Sequence, residues 1–232
     1  MRWASGLLML LVVVDLGHAG EPAVSMGVGS GTVAVHEPSG VECGTIAFNS
    51  DEEYETAYAW QYGGVVAPYY GAFAECYDGP IQVCAVVCDL TGLPYTIGTC
   101  MDVFVWNDLA GIPGEVLAVA RDTCFFAPVY PQFRRYVVEL PTAPCLPERG
   151  WVGLWHNEPG GQAIWYVGAD LDGPGGCPMT NIAPGLGYVT GWQNVSSVWG
   201  PTQALGIGAE VTPCEPVPTV ESSWGRVKTL YR

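Results

Sequence analysis

The chain has 232 residues and a net charge of −15, with 13% charged and 49% hydrophobic residues. An acidic balance of that size excludes the basic patch that nucleic acid requires, and it opposes electrostatic adhesion to anionic lipid. Thirty-one glycines and 19 prolines mean many turns and few long helices.

In chain order, residues 1–19 read as a secretory signal. Met1-Arg2 gives a positive start, residues 7–14 (LLMLLVVV) an apolar run, and Gly17-His18-Ala19 small residues at the cut. The run is shorter than the ~20 apolar residues that span a bilayer. Gly, Pro or charge interrupts every later apolar stretch. The expectation is a protein secreted, held at the cell surface or in the periplasm, with no transmembrane span. Residues 20–40, rich in Gly, Ser and Val, read as a flexible leader.

Short apolar runs at 45–48, 58–62 and 71–76 then precede a β-branched run at 81–90 (IQVCAVVCDL). Further runs lie at 101–106 (MDVFVW), 116–120, 136–140, 151–155, 164–167 and 205–211, a set of about ten strands. Turn signals at 78–80, 107–114, 157–161 and 172–176 separate them. Such spacing predicts an all-β fold over residues 41–214, an antiparallel, jelly-roll-like β-sandwich. Residues 215–221 (EPVPTVE) read as a proline-bearing linker. In the tail at 222–232, Trp224, Arg226, Lys228, Tyr231 and Arg232 reverse the charge of the domain and make a candidate sorting or docking signal.

All nine cysteines follow the signal: Cys43, Cys76, Cys84, Cys88, Cys100, Cys124, Cys145, Cys177 and Cys214. In an exported chain they read as disulfides. Zinc would want C-x-x-C pairs and histidines. Cys84 and Cys88, four apart on one extended run, lie about 13 Å apart, beyond the ~7 Å that a bridge tolerates. Folding 101–106 onto 116–120 brings Cys100 and Cys124 to one end, and Cys88 joins them if the loop 91–98 returns its strand. The expected bridge there is Cys100–Cys124 or Cys88–Cys100. Cys76–Cys84 would close a short loop, and Cys43–Cys214 would clasp the two ends of the domain. The odd count leaves one thiol over, and Cys177, in a Gly-Gly-Cys-Pro turn, is the candidate.

The stretches ECYDGP…VC (75–84), DVFVWNDLAGIPGEVL (102–117), DLDGPGGCPMTNIAPG (170–185) and WGPTQALGIGAEV (199–211), with the closing SSWGRVKTLYR, resemble a family of exported bacterial β-sandwich proteins known mainly from environmental sequences. The W-[DN]-D-x-x-G-x-P-G hairpin at 106–114 is the most specific part of the resemblance. It implies a jelly-roll-like sandwich and a tail signal. It implies no activity and carries over no catalytic residues.

No residue set points firmly to catalysis. His156, beside Asn157-Glu158-Pro159-Gly160, reads as a surface loop residue rather than a base. Asp102, Glu139, Asp170 and Asp172 supply carboxylates for glycosidase chemistry, but their spacing is not set by the sequence. Asp170-Leu171-Asp172-Gly173, with Asn181, has the oxygens and Gly bend of a calcium loop; the plainer reading is a solvated Asp-Gly turn. Asp51-Glu52-Glu53 is a weaker acidic turn of the same kind. Trp192 and Trp199, in a Gly/Asn/Ser-rich segment, are the expected exposed pair for stacking on sugar rings, whereas Trp151 and Trp155 flank Gly153 as a core stripe would. The expected role is a non-enzymatic extracellular or cell-surface module, structural or binding. A carbohydrate-binding module comes second and a secreted hydrolase third. A glycan or a surface protein is the expected partner, and calcium the one candidate cofactor.

Overall fold

The computed structural model describes residues 23–27, 29, 31–34, 44–60, 68–93, 99–155 and 165–214. The signal, linker and tail, together with Cys43 and His156, lie outside the described residues.

Among those residues the strands are β1 (Ala23–Ser25), β2 (Thr32–Ala34), β3 (Thr45–Ala47), β4 (Thr56–Trp60), β5 (Ala72–Asp78), β6 (Ile81–Gly92), β7 (Thr99–Asp108) and β8 (Pro113–Phe125). They continue with β9 (Gln132–Glu139), β10 (Cys145–Leu146), β11 (Arg149–Trp155), β12 (Trp165–Asp170), β13 (Met179–Ile182) and β14 (Gly191–Asn194). A single helical turn, α1 (Ser196–Trp199), precedes β15 (Ala204–Leu205) and β16 (Ile207–Pro213). They form a sandwich of two sheets. The large sheet, of ten strands, runs β1-β4-β12-β6-β16-β3 with β9 on the other side of β6 and β2 beyond it; the small sheet, of six, runs β14-β13-β5-β11-β7-β8. The named strand pairs are antiparallel except β2 with β9.

The two inner faces meet in the main core, where Val86, Cys88 and Leu90 of β6 face Val103 and Val105 of β7 and Val152 and Leu154 of β11. The alternate residues of β7 and β11, Phe104, Trp106, Trp151 and Trp155, turn outward, yet they too are buried in a second cluster. Burial on both faces explains why MDVFVW reads as a continuous apolar run rather than an alternating one.

The chain crosses between sheets from β6 to β7, and this crossing revises the disulfide expectations. Cys100 and Cys124 are register partners in β7 and β8, and they are bonded. Cys88 does not join them. It points into the core from the other sheet and is the unpaired thiol among the described residues. Cys177 is not free: it bonds to Cys76, Cα atoms 5.7 Å apart, and fastens the loop before β13 to β5. A Cys76–Cys84 loop is thereby excluded, since β5 and β6 belong to different sheets and Cys76 stands on an outer face. The Cys43–Cys214 clasp is excluded as well, because Cys214 bonds to Cys145, Cα atoms 5.8 Å apart, where β10 and β16 both flank the start of β6. Cys84 is itself disulfide-bonded.

Part of the segment read as a leader lies among the described residues. Its described residues form β1 along β4 and β2 along β9, so the segment straps the outer face of the large sheet. Backbone bonds hold it on the way: Met26 N–H to Ala57 O (2.9 Å), Gly29 N–H to Glu55 O (2.7 Å) and Gly31 N–H to Tyr54 O (3.0 Å). The Tyr130 hydroxyl lies 2.8 Å from the carbonyls of Gly27 and Gly29. Met26 and Val33 pack on the buried Tyr54, Ala57, Ala59, Phe133 and Tyr166. Gly31 sits so close to the Phe133 ring that a Cβ would not fit. Strands of three residues are too short to show periodicity, and Gly31 serves a close approach to Phe133.

Beside this strap Asp89, outward on β6 and fully buried, binds Arg135 through Nε (2.9 Å) and Nη2 (2.6 Å) and accepts the Tyr54 hydroxyl (2.7 Å). Arg135 reaches Glu52 at 2.7 Å and lies over the Phe48 ring at 4.3 Å. Burial and the neighbouring Asp89 charge push the Tyr54 hydroxyl well above its ordinary range. Among the described residues no helix is long and apolar enough to cross a membrane.

Candidate functional site: an aromatic outer face

Backbone register arranges the outer face of the small sheet in rows. Trp192 on β14 pairs with Asn181 on β13. β13 aligns Thr180 with Phe73, so Asn181 stands level with Ala72, which pairs with Trp155, which pairs with Asp102. The next row is Met179, Ala74, Gly153 and Phe104; the one after is Cys76, Trp151 and Trp106. Small residues at Ala72, Ala74 and Gly153 leave a low floor. A Cβ on Gly153 would meet Trp106 Cζ3 at 3.0 Å, so the indole lies across that glycine.

The aromatic side chains form a layer over this floor. Trp106 stacks on Phe104 (5.0 Å, 12°) and meets Trp192 edge-to-face (5.6 Å, 74°). Tyr69 packs on Phe104 at 4.8 Å and Trp155 at 5.1 Å. Polar tips are anchored: Trp151 Nε1 donates to Asp108 Oδ1 (2.8 Å) and Trp155 Nε1 to the Tyr70 carbonyl (3.1 Å). Each aromatic pair of this kind is worth about 0.5–1.5 kcal/mol beyond area burial, so the layer is a rigid support. Phe104, Trp106 and Trp151 are buried, while Tyr69 and Trp192 are half-buried and form its upper surface. The Trp151–Trp155 stripe is therefore a core stripe, as its spacing suggested, but of an outer cluster.

Trp192 and Trp199 do not form a pair. Past β14, Val195 is buried and α1 carries the chain to the inner side of the sheet. There Trp199 stacks on Tyr58 (4.8 Å, 10°) and abuts Trp60 (5.0 Å) and Phe73 (5.6 Å). It closes the main core. Trp192 alone of the two belongs to the outer face.

The acidic residues gather elsewhere. Asp51 joins Asp170 and Asp172, with one carboxylate oxygen from each within 4.8 Å of the others. Thus two acidic turns that read separately in sequence converge. Asp170 is fully buried, and its oxygens accept the backbone N–H groups of Asp51 (3.0 Å), Asp172 (3.1 Å) and Gly173 (2.7 Å), the bonding of an Asx turn. Asn181 is engaged away from this group: its Nδ2 donates to the Pro68 carbonyl at 2.6 Å, on the small sheet. Asp102 pairs with Arg121 at 2.8 Å on the small sheet, whereas Glu139 and Asp170 belong to the large one, so the glycosidase carboxylates are spread over both.

Besides Asp89, a second fully buried carboxylate escaped the sequence reading. Glu75 is fully buried and accepts from Leu205 N–H (2.7 Å), Asn49 Nδ2 (2.9 Å) and Cys177 N–H (3.0 Å), joining three segments. Burial pushes its carboxyl up to about 7, with the Asp170 charge adding to the rise and the three donors opposing it. The signal was parity: in AFAECYD, Glu75 shares the inward phase of Phe73 and Tyr77.

No protein-family model and no curated protein matches the chain. Among solved structures, it is similar to the crystal structure of the cysteine protease and lectin-like domains of Cwp84, a surface layer associated protein of Clostridium difficile. The TM-score is 0.50 at 8% sequence identity, over 73% of this chain and 36% of that one. What the two share is a fold. The chain spans little more than a third of the length of that protein.

Proposed function

We propose that this chain is an exported, non-enzymatic binding module that holds a glycan against the outer face of its small sheet. The observation that carries the reading is Trp192: a half-buried indole braced edge-on by Trp106, which itself lies across Gly153, outside the main core. An indole face on an aromatic support offers a sugar a stacking surface. The disulfides and the signal-like start support an extracellular place for it. The described lectin-like domain of the structural neighbour supports a sandwich of this shape in a binding role. The test is a glycan array on the oxidised protein beside its Trp192→Ala variant. Binding by the parent that falls roughly tenfold or more in the variant is expected. A parent that binds nothing, or a variant that binds equally, refutes the proposal.

A further inference from the structure

We infer that Asn181 is the polar anchor of this glycan face: with the Trp192 indole turned outward, Asn181 Oδ1 accepts a hydroxyl of a neutral pyranose laid on the ring. The inference rests on the binding reading above and names the ligand class. Asn181 is 2% exposed. Its Nδ2 donates to Pro68 O, which fixes the orientation of the amide, and its Oδ1 has no hydrogen-bond partner. A buried amide oxygen without a donor is destabilising and rare in folded proteins. The backbone around it is firm, for Gly71 N–H donates to Asn181 O at 2.7 Å and β13 is paired on both sides. Its register partner on the same face is Trp192, half-buried on β14, a four-residue strand at the sheet edge.

The donor must be a neutral O–H. An amide oxygen repels carboxylates and sulfates, and a net charge of −15 repels them at longer range. The charged pair at the far end of the row, Asp102 with Arg121, is already mutually neutralised. Neutral hexosides are therefore bound in preference to uronic-acid or sulfated chains.

The experiment is calorimetric titration of the oxidised protein with neutral gluco-, manno- and galacto-oligosaccharides, their glucuronic-acid counterparts, and a monodeoxy series of whichever neutral sugar binds. Parent, Trp192→Ala and Asn181→Ala are compared. Expected are a roughly tenfold loss in Asn181→Ala and an equal loss for one monodeoxy sugar on the parent. That monodeoxy sugar should lose nothing further on Asn181→Ala. The ligand-side deletion keeps the test valid should Asn181→Ala disturb the Pro68 contact. If Trp192→Ala loses binding while Asn181→Ala and every monodeoxy sugar bind within twofold of the reference, the anchor is refuted and the aromatic reading stands. If no sugar binds the parent, both fall. An ordered water on Oδ1 in a sugar-bound crystal structure, or preference for the acidic oligosaccharides, also overturns the inference.

Discussion

Replacing Arg135 with methionine would strip Asp89 of two of its three hydrogen bonds, leaving a carboxylate with 0% exposure held by the Tyr54 hydroxyl alone. Breaking one side of a buried pair costs about 3–5 kcal/mol, because the remaining charge has neither water nor a counterion. The ion pair with the half-exposed Glu52 adds at most ~1 kcal/mol, since solvent screens it. A loss near 4 kcal/mol is a large part of the roughly 5–15 kcal/mol that stabilises a domain, and at about 2–4 °C per kcal/mol it lowers Tm by roughly 8–16 °C. Urea unfolding of the oxidised protein, followed by tryptophan fluorescence, measures it. The double variant Asp89→Leu/Arg135→Met removes both charges and should regain most of the loss, with Tyr54 left to Ser50 Oγ at 3.4 Å. A single variant costing under about 1 kcal/mol, or a double variant no better than the single, would refute the account of Asp89 as a buried charge that depends on Arg135.

Three further outcomes are expected. The carboxyl of Glu75 rises from 4.5 to about 7 on folding, so the folded protein binds this proton more tightly than the unfolded chain. The stabilisation is complete below pH 4.5 and is lost as pH climbs through 7, a fall of about 3 kcal/mol across the window. Urea midpoints at pH 5, 6.5 and 8 should drop accordingly, and Glu75→Gln should flatten the series; an equal slope in both would be decisive against it. Trp199→Ala removes the ring that closes the main core and should cost about 3–5 kcal/mol. At low temperature, where it stays folded, it should bind sugar as the parent does, whereas Trp192→Ala should show the reverse pattern. A chain lacking residues 20–34 uncovers Phe133, Tyr166 and Tyr54, a loss of about 3 kcal/mol by area, visible in Tm and as faster proteolysis; unchanged resistance would remove the strap from the fold's stability.

Several strands visible in sequence, at 81–90, 101–106 and 151–155, are buried on both faces. The run at 81–90 is apolar enough to be read as a strand, but apolar residues on both faces hide which sheet it joins, and so the sequence leaves Cys88 a conditional place beside Cys100, whereas it lies in the opposite sheet. Trp192 and Trp199 carry the same side chain in one polar stretch. A single turn of helix between them sends one outward and the other into the core, and four residues of SSVW carry no periodicity that betrays it. Asp51 and Asp170 meet across 119 positions, a distance no local pattern spans. By contrast the Asn107–Gly114 turn was legible because its chemistry is local: Asn107 Oδ1 takes the Glu115 N–H at 2.7 Å and Asp108 Oδ2 the Gly111 N–H at 3.0 Å.

Cys88 is held between the sheets with 0% exposure, and burial, with Asp89 beside it, pushes its thiol far above the ordinary range. The thiolate, the form that attacks a disulfide, is thus suppressed while the sandwich is assembled. Buried between the sheets, the Cys88 thiol is a poor nucleophile toward the bridges around it. The main core therefore keeps this thiol away from the disulfides around it.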